Sequence, residues 1–328
     1  RMRARTAAAA CVSPFLCVLV LLSAGVAAGE ATPLRAVYVA VDGSDSQGDG
    51  TAGRPYLTLT KAQERTKAGS VIFVRGGKYL NVKERITVSG TATEPILIMP
   101  APGEKVVFEG GDAISKPEES IVEFDGLKHL VFEGFELRKS AGRGVSLKEC
   151  GHVAIRNCKV HEIQYRAIGG SGEEITIENN QVWNSCLINA DNAFLNDRKK
   201  GGWPGAISSW QRADGSASRN FLIRNNAVYE NWGEGIIVLF MDGASVKGNY
   251  VRDNYSVLLY VDTSRNVNID ANVLYITTEK YNRVDHRAPA AGISLSAEHY
   301  PKAPDIGVES VTISNSLILG TRNGITYW

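Results

Sequence analysis

The chain has 328 residues, with 36 Lys and Arg against 35 Asp and Glu and 44% apolar residues. This near-neutral balance gives no electrostatic case for nucleic acid or an anionic membrane as partner, and the ordinary charged and apolar fractions exclude wholesale disorder. Five cysteines in a chain of this length exclude a disulfide-built scaffold, and their spacing is not a zinc pattern.

Residues 1–28 read as a secretory signal: Arg1, Arg3 and Arg5 ahead of the apolar FLCVLVLL, then the small residues SAGVAA at 23–28. An apolar run starting at Ala7 also fits a membrane anchor, but the small-residue end and the lack of positive charge after it favour cleavage. The expected location is extracellular or periplasmic, with no membrane attachment after cleavage. Cleavage removes three Arg, leaving 36 − 3 = 33 basic against 35 acidic residues, a formal charge of −2. Cys11 and Cys17 leave too, so Cys150, Cys158 and Cys186 allow at most one internal disulfide.

Residues 29–70 read as an N-terminal cap. Within 37–79 a strand leads to the loop DGSDSQGDG, a short amphipathic helix near Leu59–Thr66 and another strand. Asp42, Asp45 and Asp49 give that loop oxygen ligands for calcium, but the spacing does not complete an EF-hand and a solvated loop is the simpler reading.

From residue 71 to 328 one short pattern recurs: FEGFEL (132–137), IRNCKV (155–160), IENNQV (177–182), IRNNAV (223–228), VKGNYV (246–251), IDANVL (269–274) and ISNSLI (313–318). The starts are 23, 22, 46, 23, 23 and 44 residues apart, so the period is 22–23 with two enlarged intervals. Alternating apolar residues precede each copy, and Asn or Gly sits where a tight bend needs left-handed backbone. A second strand signature stands ahead of most copies, as in GVSL, GIIV and GISL. Several strands per period with no helix between them predict an all-β fold: a single-stranded right-handed parallel β-helix, one solenoid core behind the strand and short-helix cap. The repeat stops at GITYW, so the solenoid reads as truncated at its C-terminus.

The opening DGSDSQGDGTAGRPYLTL, the GGKY turn, SGTATEPILIM and the repeated IxNNxV together resemble secreted right-handed parallel β-helix proteins of the pectate-lyase-like superfamily, over residues 37–328. The resemblance implies a carbohydrate-active protein, a polysaccharide lyase or glycoside hydrolase, with a polysaccharide as partner and calcium needed by some members. The chain lacks the NTD, DD, GHG and RIK set of polygalacturonases and shows no clustered aspartates like the calcium site of pectate lyases. No cofactor is required by the sequence, calcium is admitted, and no metal ligand is assigned.

The two enlarged intervals place insertions at about 183–205 and 276–291, and long insertions in a compact fold are more often functional than incidental. Val145, Ile168, Ile207, Ile236, Leu259, Ile293 and Ile325 align as inward anchors. Outward rows then hold Ser208, Tyr260 and Ser294, and two residues further on Trp210 and Asp262. A nearly all-small row, Gly144, Ala167, Ala206, Gly235, Leu258, Gly292 and Gly324, predicts a shallow trough for a chain-like ligand. Trp210, Tyr260 and Trp203 suit stacking on sugar rings. Lys199, Lys200, Arg283, His286 and Arg287 on the insertions offer cations for carboxylated sugars. Glu234, in VYENWGEGI, falls off the stacked pairs Glu230–Asp253, Asn231–Asn254 and Trp232–Tyr255, as either a site-edge acid or a turn residue.

Two chemistries compete. For a hydrolase, Asp262 and Glu298 on adjacent coils are expected roughly 8 Å apart, within inverting range. For a lyase, Lys200 or His286 is the candidate base and the loop cations stabilise the intermediate. The alternative is a non-catalytic glycan-binding or adhesin-like solenoid. A monomer is expected.

Overall fold

Residues 35–197, 202–285, 288–301, 304 and 306–328 are described by the computed structural model. The expected signal sequence, Lys199, Lys200, His286 and Arg287 lie outside the described residues.

Each coil is built from three short strands, and every strand pairing is parallel with the equivalent strand one coil away, apart from isolated bridges. The first strands stack Val122, Val145, Ile168, Ile207, Ile236, Leu259, Ile293 and Ile325 in register, the anchors expected from the repeat. Second strands stack Phe132, Ile155, Ile177, Ile223, Val246, Ile269 and Ile313. Third strands stack Leu137, Val160, Val182, Val228, Val251, Leu274 and Ile318. These three apolar columns face one another and form one continuous core, a right-handed parallel β-helix.

The two turn positions of IxNNxV do different work. The first takes left-handed backbone: Asn157, Asn179, Asn225, Gly248, Ala271 and Asn315 have φ of 56°, 56°, 55°, 64°, 53° and 49°. The second points inward as a ladder of buried amides. Asn249 Oδ1 accepts from the backbone N and Nδ2 of Asn226, both at 3.0 Å, while its own Nδ2 donates to Ile223 O at 2.9 Å and Asn272 Oδ1 at 3.0 Å. From Asn180 to Asn272 each amide thus satisfies the bend of its neighbour.

The outward side of the second strands is neutralised by alternating charge. Arg156 meets Glu133 at 2.5 Å, Arg224 meets Glu178 at 2.6 Å and Lys247 meets Asp270 at 3.1 Å. The stacked acids Glu230 and Asp253 do not repel unopposed, because Arg252 pairs with both at 2.7 Å.

At the N-terminal end, strand Arg35–Val39 pairs with Ser70–Val74, and the helix Leu59–Ala62 is capped by Thr58 and by the carboxylate of Glu84. Two of the three loop aspartates are consumed by the turn itself. Asp45 accepts from the backbone N of Leu57 at 2.8 Å and of Thr58 at 3.1 Å, and Asp49 from that of Thr51 at 3.0 Å. Cys150, Cys158 and Cys186 are free, buried thiols.

Each enlarged interval is divided into two loops, a correction to the single insertions expected. Ile168 and Ile207 pair across 39 residues and Leu259 and Ile293 across 34, against 23 for Ile236 and Leu259. The remaining extra residues fall after the first strand, between Ser209 and Ser218 and between Ser296 and Glu309. The first loop is not featureless: it holds a 3-10 turn at Leu187–Asn192 and a helical turn at Ala193–Asn196. Leu187, Ala190 and Leu195 dock on Trp232, Tyr255 and Tyr281, and Val284 N donates to Asn192 Oδ1 at 3.2 Å. The two large loops therefore touch.

Candidate active site

The loops and the first-strand sheet enclose a cleft of about 920 Å³. Its walls include Arg166, Trp203, Trp210, Glu234, Tyr260, Arg283, Glu298, Tyr300 and Trp328.

Glu234 opens the strand Glu234–Leu239 and pairs in register with Gly205. A Cβ on Gly205 would stand 2.6 Å from the Ile237 side chain, so this rung carries no side chain beside Glu234. The carboxyl group is only 6% exposed and its pKa is pushed up to about 8. Burial is the main cause, followed by the charges of Glu298 and Asp262, with Arg283 acting in the opposite direction. Glu234 is thus a cleft carboxylic acid and not a plain turn residue.

Arg166 stands two residues before Ile168, as Gly205 stands two before Ile207. Its guanidinium lies 4.3 Å from the centre of the Trp210 ring, and its buried Nε has no hydrogen-bond partner. Burial first, and repulsion from Arg143 second, pull its pKa down to about 10. The sequence reading left Arg166 out of the site. Its only signal was its place at the head of a strand in line with Glu234. Arg283 is placed differently: it holds Asp285 through two contacts of 3.0 and 2.6 Å and lies 4.8 Å over the Trp203 ring.

Trp203 and Trp210 are 38% and 37% exposed, as a sugar-stacking surface needs. Tyr260 is not: it is 7% exposed, packed with Ile237, Leu239, Phe240, Val257 and Tyr300, and stacked 6.3 Å from the Trp328 ring. Ser208 and Ser294 are each 2% exposed, so neither offers a surface hydroxyl; Ser294 shares its hydrogen bond with Thr326 at 2.7 Å. The expected trough of small residues is also absent. Ala167, Ala206 and Leu258 are fully buried, and a Cβ on Gly144, Gly235 or Gly292 would strike Val160, Val251 or Ile318 of the third strands. These residues are small because the coil turns a corner there.

Asp262 and Glu298 do come together, but not at inverting spacing. Tyr300 Oη is 2.6 Å from Asp262 Oδ2 and 3.0 Å from Glu298 Oε2, so those carboxyl oxygens are at most 2.6 + 3.0 = 5.6 Å apart. Asp262 is 0% exposed and accepts from Glu298 N at 3.1 Å and Thr263 Oγ1 at 2.9 Å. Burial raises its pKa. Asp262 therefore does not reach the cleft surface, and Tyr300, which stands outside the repeat pattern, ties it to Glu298.

Among the described residues no group of three His, Cys, Asp or Glu side chains is placed to hold a metal ion. Among the described residues the groups present do not form the cage of six to eight oxygens that calcium takes. Among the described residues no helix is long and apolar enough to cross a membrane.

The family described as Pel9A-like, right handed beta helix region matches residues 37–238, and the family described as right handed beta helix region matches 207–328. Pectate lyase PEL9 of Emericella nidulans is 33% identical over 99 residues, 29% of this chain and 24% of that protein. The uncharacterized protein YwoF of Bacillus subtilis is 25% identical over 284 residues, 73% of this chain and 56% of that protein. The chain thus spans a little over half, at most, of these relatives. Similar solved structures include pectate lyase Pel9A, at 16% identity and TM-score 0.57 over 86% of this chain and 78% of that one. The alginate lyase of Paenibacillus sp. FPU-7 is 14% identical with TM-score 0.54, over 89% of this chain and 97% of that one.

Proposed function

Because this chain belongs to the family of Pel9A-like right-handed β-helix proteins, we propose that it is a carbohydrate-active enzyme working outside the cytoplasm, a lyase that binds an acidic polysaccharide in the cleft and cleaves it by β-elimination. One observation carries this reading. Arg166 presents a guanidinium against the exposed Trp210, with a buried Nε that has no partner. Arg166 is part-exposed at the cleft wall, so its guanidinium can meet a carboxylate on a bound sugar through a charge-assisted hydrogen bond.

Elimination next to a uronate carboxylate needs that charge neutralised, a base for the α-proton, and walls that hold the sugar rings. Arg166 neutralises, Trp203 and Trp210 stack, and Glu234 takes the proton. A carboxylate whose pKa has risen to about 8 is a stronger base than an ordinary one and still ionises close to neutral pH. The Emericella relative is a pectate lyase, which supports the same class.

A second reading has its own observation. Glu234 and Glu298 line one cleft in different environments, one deeply buried and one half-buried and hydrogen-bonded to phenols. Such a pair supplies the acid and the base of a glycoside hydrolase.

The test is a panel of pectate, alginate, chondroitin, xylan and galactan, run with calcium and again with chelator. A new double bond, seen by ultraviolet absorbance and rising with reducing ends, is expected. Reducing ends alone would replace the lyase with the hydrolase. Retention of a glycan without cleavage would leave a binding solenoid.

A further inference from the structure

Asp262 and Glu298 are joined by a single phenol, and its hydrogen count has a consequence. Tyr300 Oη lies 2.6 Å from Asp262 Oδ2 and 3.0 Å from Glu298 Oε2. A hydroxyl carries one hydrogen and donates it to one acceptor. The second contact is a hydrogen bond only when that carboxyl group brings a hydrogen of its own. With both acids ionised, two acceptors would face each other at hydrogen-bonding distance, inside a site that is largely out of water.

Burial decides which acid holds the hydrogen. Asp262 has 0% exposure, whereas Glu298 is half-buried at the cleft wall. A charge costs more on the fully buried group. With the hydrogen on Asp262 Oδ2, the network closes: Asp262 donates to Tyr300 Oη, and Tyr300 donates to Glu298 Oε2. Tyr260 Oη donates to Glu298 Oε1 at 2.8 Å, so each oxygen of Glu298 has a phenol. Asp262 Oδ1 keeps the two donors Glu298 N and Thr263 Oγ1.

We propose that Asp262, Tyr300 and Tyr260 are positioning residues that hold Glu298 as the fixed anion of the cleft, the Asp262–Glu298 pair carrying one proton that rests on Asp262. For its catalytic consequence this rests on the reading above: the charge kept on Glu298 raises the proton affinity of Glu234 and so strengthens it as the base. The groups facing the pair are Tyr260 on the strand of Asp262, Tyr300 on the loop of Glu298, and Glu234 across the cleft. Arg283 acts on Glu234 in the opposite sense.

The experiment is a pH titration of the full chain carrying carbon-13 at Asp and Glu carboxyl carbons, with lines assigned through Asp262→Asn and Glu298→Gln. At pH 7 the Asp262 line is expected at the protonated position and the Glu298 line at the ionised one, with the two acids titrating in coupled steps. Tyr300→Phe keeps the ring and removes the bridge, so the Asp262 titration should shift and the two acids should couple only through space. Glu298→Gln should move the Glu234 titration to lower pH, because removing a negative neighbour favours the ionised form. A merely structural Tyr300 would not move these curves. The proposal is overturned if both acids are ionised at pH 7, if the proton sits on Glu298, or if Tyr300→Phe leaves the Asp262 titration unmoved. Should Asp262→Asn fail to fold, wild type and Tyr300→Phe still decide it. A chain that cleaves no glycan but shows the predicted lines refutes the lyase alone; a lyase with ionised Asp262 refutes this inference alone.

Discussion

Glu234→Gln separates a catalytic carboxyl from a structural one, because stability and activity should move in opposite directions. The Glu234 pKa rises from 4.5 to about 8 on folding. Between those values the folded chain holds a proton that the unfolded chain releases, so stability falls as pH increases. The contribution is fully present below about pH 4.5, where both states are protonated, and is lost as pH rises through 8. At 1.36 kcal/mol per pH unit, the loss is at most about 5 kcal/mol once Glu234 is ionised. Glutamine copies the shape of the protonated acid and cannot ionise. In thermal melts from pH 4 to 9.5, wild type and variant should coincide near pH 4. Above pH 9 the variant should melt higher by roughly 10 °C, taking about 2 °C per kcal/mol for a chain of this size. On a substrate of the panel, the same variant should lose about 10²- to 10⁴-fold in rate, as expected for removal of a proton-transfer group. Melting curves that run parallel at all pH values would refute the buried-acid argument, and full activity in a stabilised variant would refute the catalytic one.

Arg166→Leu should weaken retention of an acidic polysaccharide in an affinity gel by about 10- to 100-fold, the worth of a hydrogen bond to a charged group, and leave a neutral glycan unaffected. Equal loss for both glycans would mean that Arg166 shapes the cleft without reading charge. Asn249→Ala should cost about 3 kcal/mol or more in urea melts, since it strips partners from Asn226, Ile223 and Asn272 in a buried ladder. Ala271→Gly should stabilise by roughly 1 kcal/mol by relieving a left-handed alanine with φ of 53°. Loss of stability there would show that the methyl group packs better than the backbone suffers.

The repeat was legible because a solenoid repeats its physics. IxNNxV predicts the core columns and their register, since each apolar residue must face its copy one coil away. The pairs Asn231–Asn254 and Trp232–Tyr255 follow from the same rule and are in contact, at 2.8 Å through Asn231 Nδ2 and at 6.0 Å between ring centres. Reading by alternation failed at the corners. The small-residue row from Gly144 to Gly292 predicts an open trough, yet these residues stand where the chain bends and pack on third-strand side chains. Tyr260 was placed on the correct side of its strand but is covered by Tyr300, from a loop with no register to predict it. The estimate of the Asp262–Glu298 spacing assumed a straight strand, and Glu298 lies beyond the strand end at Ser296.

This contrast explains where a site can arise on such a fold. Within the ladders every polar residue has an equivalent neighbour about 4.8 Å away on each side, and stacked charges survive only by alternating or by sharing a partner. The Glu133–Arg156–Glu178 column and the Arg252 pairings show that solution at work. A residue whose charge is perturbed must therefore escape the repeat. Glu234 does so because its neighbours in the column are Gly205 and Val257, neither of which offers a partner, and the four loops between coils close over it. Arg166 does so because the adjoining position is the same Gly205. One glycine thus opens the ladder between a cation stacked on Trp210 and a buried acid, and the loops supply what the repeat cannot: Trp203, Trp210, Arg283 and the Glu298–Tyr300 arm. The site follows from interruption of the repeat, and a search for sites in other solenoids of this kind should begin at the rung where a ladder of side chains falls to glycine beside an enlarged coil.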